Sequence, residues 1–118
     1  MDHCLNLLIV EDVEDDALLV LRTLRRGGLT IKFQRVDTAA AFSQLLSKDI
    51  DIILCDYHLP RFSPLAALEI LRKSTLDIPL IVISGAVSED IIVDVMKAGA
   101  NDYVMKNNLT RLPEAVRR

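Results

Sequence analysis

The sequence predicts an α/β fold, a doubly wound, five-stranded parallel sheet with helices on both faces. Three observations predict it. Five short apolar runs, Leu5–Val10, Ile31–Val36, Ile50–Cys55, Pro79–Ser84 and Tyr103–Met105, alternate with amphipathic stretches along the 118 residues. Such βαβ alternation closes a parallel sheet through right-handed crossovers. Three of the runs, LNLLIV, IDIILC and PLIVIS, are almost continuously aliphatic, as strands covered on both faces are. Helix-capping residues, finally, stand where the intervening helices have to begin or end.

Taken in order, Asp15 and Asp16 put negative charge at the start of a first helix with a core face of Leu18, Leu21 and Leu24, and Gly27-Gly28 ends it. The second run, IKFQRV, alternates and suits an edge strand. Thr38 can cap the next helix, AAAFSQLL. Ser63 followed by Pro64 is an N-cap with proline at the first helical position, opening LAALEILRK. Ser88, with Glu89 and Asp90 behind it, opens DIIVDVMKA, and Gly99 closes it. The fifth run is short and charged at its end, as at the other sheet edge. A last helix begins near Thr110 or Pro113 and runs to Arg118. No linker or repeat interrupts the five β-α units, and a chain of this length holds one domain, residues 1–118.

Composition narrows the function classes. Half the residues are hydrophobic, enough for a core. A net charge of −3 with acids and bases interspersed, and only 4% aromatics, exclude a nucleic-acid binder, which needs a basic face and stacking platforms. No apolar run reaches the ~18 residues that span a bilayer, and MDHCLNLLIVED lacks a signal peptide's basic start and cleavage site. The expectation is a cytoplasmic protein, monomeric or weakly dimeric, without membrane insertion. Cys4 and Cys55 fall near opposite ends of neighbouring strands, roughly 15–20 Å apart at the rise of a strand. A disulfide tolerates at most ~7 Å, so both are expected as reduced, mostly buried thiols.

Parallel sheets carry their chemistry at the carboxyl ends of the strands. Strand one ends in Glu11-Asp12, strand three in Asp56, strand four in Ser84 and strand five in Lys106. Each pair of carboxylates ~5 Å apart costs about 3 kcal/mol at an effective dielectric of about 20. A proton or a cation has to relieve three such pairs. An all-oxygen cluster with room for water suits Mg²⁺ (or Mn²⁺). With a metal and Lys106 to neutralise an incoming phosphoryl group, and Ser84 to hydrogen-bond it, a carboxylate can itself be the nucleophile. Asp56, alone at the end of the central strand, is the best candidate. Glu11 and Asp12 are better placed to share the cation.

The set LLIVED, DIILCDYHLP, PLIVISG and AGANDYVMK resembles the receiver domain of two-component response regulators, as in the chemotaxis regulator or in hybrid histidine kinases. It extends over practically the whole chain, and the fragments occur in the family's order and spacing. The resemblance implies a (βα)5 flavodoxin-like fold with strand order 2-1-3-4-5. It implies Asp56 as phosphoacceptor from a histidine kinase or histidine phosphotransfer domain. Glu11, Asp12, Asp56 and the backbone carbonyl of His58 correspond to the Mg²⁺ ligands, and Lys106 to the phosphate-binding lysine. Ser84 corresponds to the switch hydroxyl, and Tyr103 to the aromatic that turns inward on activation and alters the surface offered to a downstream protein.

Two departures stand out. The family's lysine precedes a proline across a cis bond, whereas Asn107 follows Lys106 here. A cis bond costs ~2.5–4 kcal/mol before a non-proline residue, against ~0.5–1 kcal/mol before proline. Either the bond is trans or the site holds a strained cis bond, the second being the favoured alternative. Pro64 stands where many receivers have glycine, and the last helix is short, as in a receiver excised from a longer chain. The His58 imidazole is expected to face solvent, since Mg²⁺ prefers oxygen. Asp15 and Asp16 are read as helix N-terminal charges in preference to metal ligands, and Met96 and Met105 as core filling or interface. The competing function is an unphosphorylated docking module on the same fold. A flavodoxin-type cofactor site is rejected, because EDVEDD would repel phosphate.

Overall fold

The computed structural model describes residues 4–85 and 88–117. Five parallel strands, β1 (Cys4–Val10), β2 (Thr30–Val36), β3 (Ile52–Asp56), β4 (Leu80–Ser84) and β5 (Asp102–Met105), form one sheet in the order β2-β1-β3-β4-β5. The helices between them are α1 (Glu14–Arg26), α2 (Ala39–Leu45), α3 (Pro64–Ser74) and α4 (Glu89–Lys97), with α5 (Leu112–Arg117) after β5.

Side chains on a strand alternate between faces, and here that alternation sorts the core into two layers. Leu8, Val10, Ile53, Cys55, Leu80 and Val82 pack with Phe42 of α2, Leu68 and Leu71 of α3 and Val95 of α4. Leu7, Ile9, Ile52, Leu54, Ile81, Ile83 and Val104 pack with α1 and α5. Both sets need apolar residues, which is why β1, β3 and β4 are continuously aliphatic. β2 buries only Ile31 and Val36 and leaves Phe33 exposed, as an edge strand can.

The caps hold where a side chain can reach. Thr38 Oγ1 accepts from Ala41 N at 3.2 Å, and Ser63 Oγ from Ala66 N at 3.1 Å. Ser88 occupies the N-cap of α4, but its side chain makes no cap hydrogen bond. Gly28, at φ +91°, turns the chain out of α1, and at Gly27 nothing larger fits: a Cβ there would stand 2.5 Å from Cβ and Cγ of Pro113 in α5.

Several expectations are corrected. Leu18 is exposed, and the buried face of α1 is Ala17, Val20, Leu21 and Leu24. A stripe at i, i+3, i+4 and i+7 starting from Ala17 leaves Leu18 about 100° around the helix. Cys4 is exposed at the outer end of β1, while Cys55 is buried. β3 begins at Ile52, although Ile50 is buried just before it, and β4 begins at Leu80. A 3₁₀ helix, Lys106–Arg111, precedes α5. The Lys106–Asn107 bond is trans, as no described peptide bond is cis, and the lower-energy isomer prevails where no proline narrows the gap.

Candidate acidic site at the carboxyl rim of the sheet

The topology delivers Glu11, Asp56 and Lys106 to one place. β1 and β3 are neighbours, with Val10 opposite Cys55, so the residues that follow each stand side by side. Glu11 is held by its backbone: its N–H donates to the Val36 carbonyl (2.9 Å), and its own carbonyl accepts from Arg35 Nη1 (3.1 Å). Beyond Asp56, the Tyr57 N–H donates to the Ile83 carbonyl at 2.9 Å. Glu11 and Asp56 are only 5% and 6% exposed.

Glu11, Asp12 and Asp56 each offer a carboxylate oxygen, and these atoms lie within 4.8 Å of one another. Asp12 N–H also donates to Glu11 Oε2 at 3.0 Å. Lys106 Nζ stands 3.4 Å from Asp56 Oδ1, 3.7 Å from Asp16 Oδ2 and 3.9 Å from Glu11 Oε1. One ammonium does not balance this many acids. Burial, followed by the charge of Asp56 and a side-chain hydrogen bond to it, pushes Glu11 from 4.5 up to about 8. Burial opposes the Lys106 ammonium, but the carboxylates of Asp56, Glu11 and Asp16 outweigh it and raise its pKa. Cys55, next to Asp56 in the chain, is driven upward by burial and then by the charges of Asp56 and Glu11, so its thiol stays protonated.

The donor set fits a small hard cation. All three groups offer oxygen within 4.8 Å of one another, and two of them are buried with a single ammonium among them, a condition that favours a further positive ligand. The ring of His58 is exposed, edge-on to Tyr57 with centroids 5.1 Å apart, and outside this group. Between α1 and the 3₁₀ helix, a cavity of about 50 Å³ runs beneath the rim, floored by Ile9, Leu54 and Ile83.

Ser84 and Tyr103 occupy the other side of the pleat. Ser84 continues the parity of Leu80 and Val82; it is fully buried, and its Oγ has no hydrogen-bond partner among the described residues. Tyr103 packs against the α2–α4 layer and its hydroxyl donates to the Gly85 carbonyl at 3.4 Å. Ala86 and Val87, which follow, lie outside the described residues. The guanidinium of Arg111 pairs with Asp102 at 3.1 Å and also donates to the Tyr103 carbonyl, fastening the 3₁₀ helix to the start of β5.

Sequence reasoning missed Asp16 as a member of this site. Its signal was position: the first turn of a helix that follows β1 directly must overhang the rim where β1 ends.

A family model for the response regulator receiver domain matches residues 7–117. The transcriptional regulatory protein KdpE of Staphylococcus aureus is 37% identical over 105 residues, 85% of this chain and 42% of that protein. The transcriptional regulatory protein RprY of Bacteroides fragilis is 27% identical over 106 residues, 90% of this chain and 44% of its own length. This chain thus spans less than half the length of either relative. Among solved structures, FixJ-N superposes with a TM-score of 0.81 at 28% identity, covering 99% of this chain and 93% of that one. The receiver domain of the Francisella response regulator 1452 shares the fold, with a TM-score of 0.77 at 22% identity, covering 95% of this chain and 93% of that one.

Proposed function

Because this chain belongs to the response regulator receiver family, we propose that it is a phosphorylation-controlled switch in which Asp56 accepts a phosphoryl group from a phosphohistidine. The donor would be a histidine kinase or a histidine phosphotransfer domain, the class of partner with which receivers interact. The observation that carries this reading is Asp56 itself, 6% exposed, with Oδ1 3.4 Å from Lys106 Nζ and its carboxylate within the acidic group.

In the step, a carboxylate oxygen of Asp56 attacks phosphorus in line. The P–O bond forms as the P–N bond breaks, and that electron pair returns to the departing imidazole ring. Glu11, Asp12 and Asp56, with the backbone carbonyl of His58, would hold Mg²⁺ (or Mn²⁺), which neutralises phosphoryl charge. Lys106 meets a second phosphoryl oxygen and Ser84 donates its hydroxyl to a third. Attack by water on phosphorus later regenerates Asp56, releasing inorganic phosphate. Ser84 answers the new group from β4, while the bond from Tyr103 to the Gly85 carbonyl ties the aromatic to the same loop. A shift of that loop changes where Tyr103 rests and which downstream protein the surface fits, a population shift driven by unequal interaction with two arrangements.

The test is intact-mass measurement after incubation with Mg²⁺ and acetyl phosphate. The expected result is one added phosphate, lost in Asp56→Asn. A folded protein that gains none would instead be a docking module on the receiver fold.

A further inference from the structure

Lys106 faces carboxylates from three separate segments: Asp56 after β3, Glu11 after β1 and Asp16 in the first turn of α1. Two of them belong to the acidic group able to hold a divalent ion, and Asp16 does not. That difference has a consequence for the lysine. A cation held by Glu11, Asp12 and Asp56 would compensate their charges and repel an ammonium beside them. The Lys106 side chain is 37% exposed, and a lysine head on its four-carbon stem has water as a ready alternative. Asp16 lies outside the group, so the cation would not be bound by it; Lys106 is its one ion-pair partner among the described residues.

We infer that Asp16 is a positioning residue that retains Lys106 at the rim once a divalent cation is in place, so that the ammonium meets the incoming phosphoryl oxygens. This rests on the phosphoacceptor reading of Asp56. It also accounts for an acid in the first turn of α1 that a helix dipole alone would leave interchangeable with its neighbours Glu14 and Asp15.

The test compares the full chain, Asp16→Asn and Asp15→Asn, the last removing an exposed acid from the same turn. First, ¹³C relaxation reports the order of the Lys106 Cε at saturating Mg²⁺. The expected result is lower order in Asp16→Asn alone; equal order in all three proteins overturns the inference, whether or not any of them accepts phosphate. Second, the rate of labelling by acetyl phosphate is expected to fall roughly two- to five-fold in Asp16→Asn, the range of a half-exposed ion pair, and to recover in Asp16→Glu. The Mg²⁺ midpoint of thermal stabilisation should stay where it is. An unchanged rate, or a slower one with a displaced Mg²⁺ midpoint, overturns the inference, the latter because Asp16 would then act on the cation. A wild-type chain that takes no phosphate overturns the phosphoacceptor reading, and the Lys106 order measurement still decides for Asp16.

Discussion

Replacing Glu11 by glutamine should remove most of the pH dependence of stability between about pH 6 and about pH 8. In the folded protein Glu11 titrates near 8, against 4.5 for the free side chain. The folded state therefore holds that proton more tightly than the unfolded chain does. The Glu11 contribution to stability is undiminished below pH 4.5 and declines as pH rises towards 8, the reverse of an ordinary salt-bridged carboxylate. The full difference, at 1.36 kcal/mol per decade, has a ceiling of about 5 kcal/mol. Between about pH 6 and about pH 8 the protein should lose about 2 kcal/mol, because the slope tapers as the folded pKa is reached. Lys106 adds no slope there: its raised pKa lends stability that is constant below 10.5 and lost only above. The Cys55 thiol, also raised, stays protonated throughout. Urea denaturation followed by far-ultraviolet circular dichroism measures this, since the chain has no tryptophan. Mg²⁺ competes for the deprotonated carboxylates, so it should stabilise the wild type more at the higher pH and stabilise Glu11→Gln much less. A Glu11→Gln protein whose stability falls with pH as steeply as the wild type, or that gains as much from Mg²⁺, would refute the reasoning.

Gly27→Ala should cost about 1–3 kcal/mol, because the new methyl meets Pro113 at 2.5 Å while the backbone there, at φ −78°, suits alanine. Adding Pro113→Ala should recover most of that loss in the same urea titration. Phe42→Ala, which empties a fully buried position packed against Phe62 at 5.4 Å between centroids, should cost about 3–5 kcal/mol. Ser63→Ala should cost about 1 kcal/mol by removing the bond to Ala66 N, whereas Ser88→Ala, with no cap bond to lose, should leave the melting temperature nearly unchanged.

What the sequence made legible follows from periodicity. Continuous aliphatic runs announced β1, β3 and β4 because both faces of each are covered, and the alternating IKFQRV announced the edge at β2. The same logic placed Glu11, Asp56 and Lys106 on one rim without any knowledge of distances. Features that depend on crossings between elements were hidden. Whether Leu18 or Ala17 faces the sheet turns on the rotation of α1, and a run of apolar residues at 17–21 permits either. The 3₁₀ helix after Lys106 rests on a tertiary clamp, Arg111 upon Asp102 and the Tyr103 carbonyl, that no local pattern encodes. Asp16 was read as a helix-start charge, a role that fits any first-turn acid; its distinct one appears only when Lys106 arrives from ninety positions further along the chain.

The period of two also divides labour within the site. Asp56 continues the parity of Ile52 and Leu54 towards α1 and α5, and Ser84 that of Leu80 and Val82 towards α2, α3 and α4. Asp56 is registered against Ile83, the residue immediately before Ser84. Charge added to Asp56 thus arrives on one side of the sheet, while the hydroxyl and the aromatic that would respond belong to the other. The two sides come together at the rim, where β3 and β4 end. Buried Ser84 Oγ, with no hydrogen-bond partner among the described residues, and buried Asp56 Oδ1, facing Lys106, flank that junction. A phosphoryl oxygen within its reach would give the Ser84 hydroxyl a hydrogen-bond acceptor.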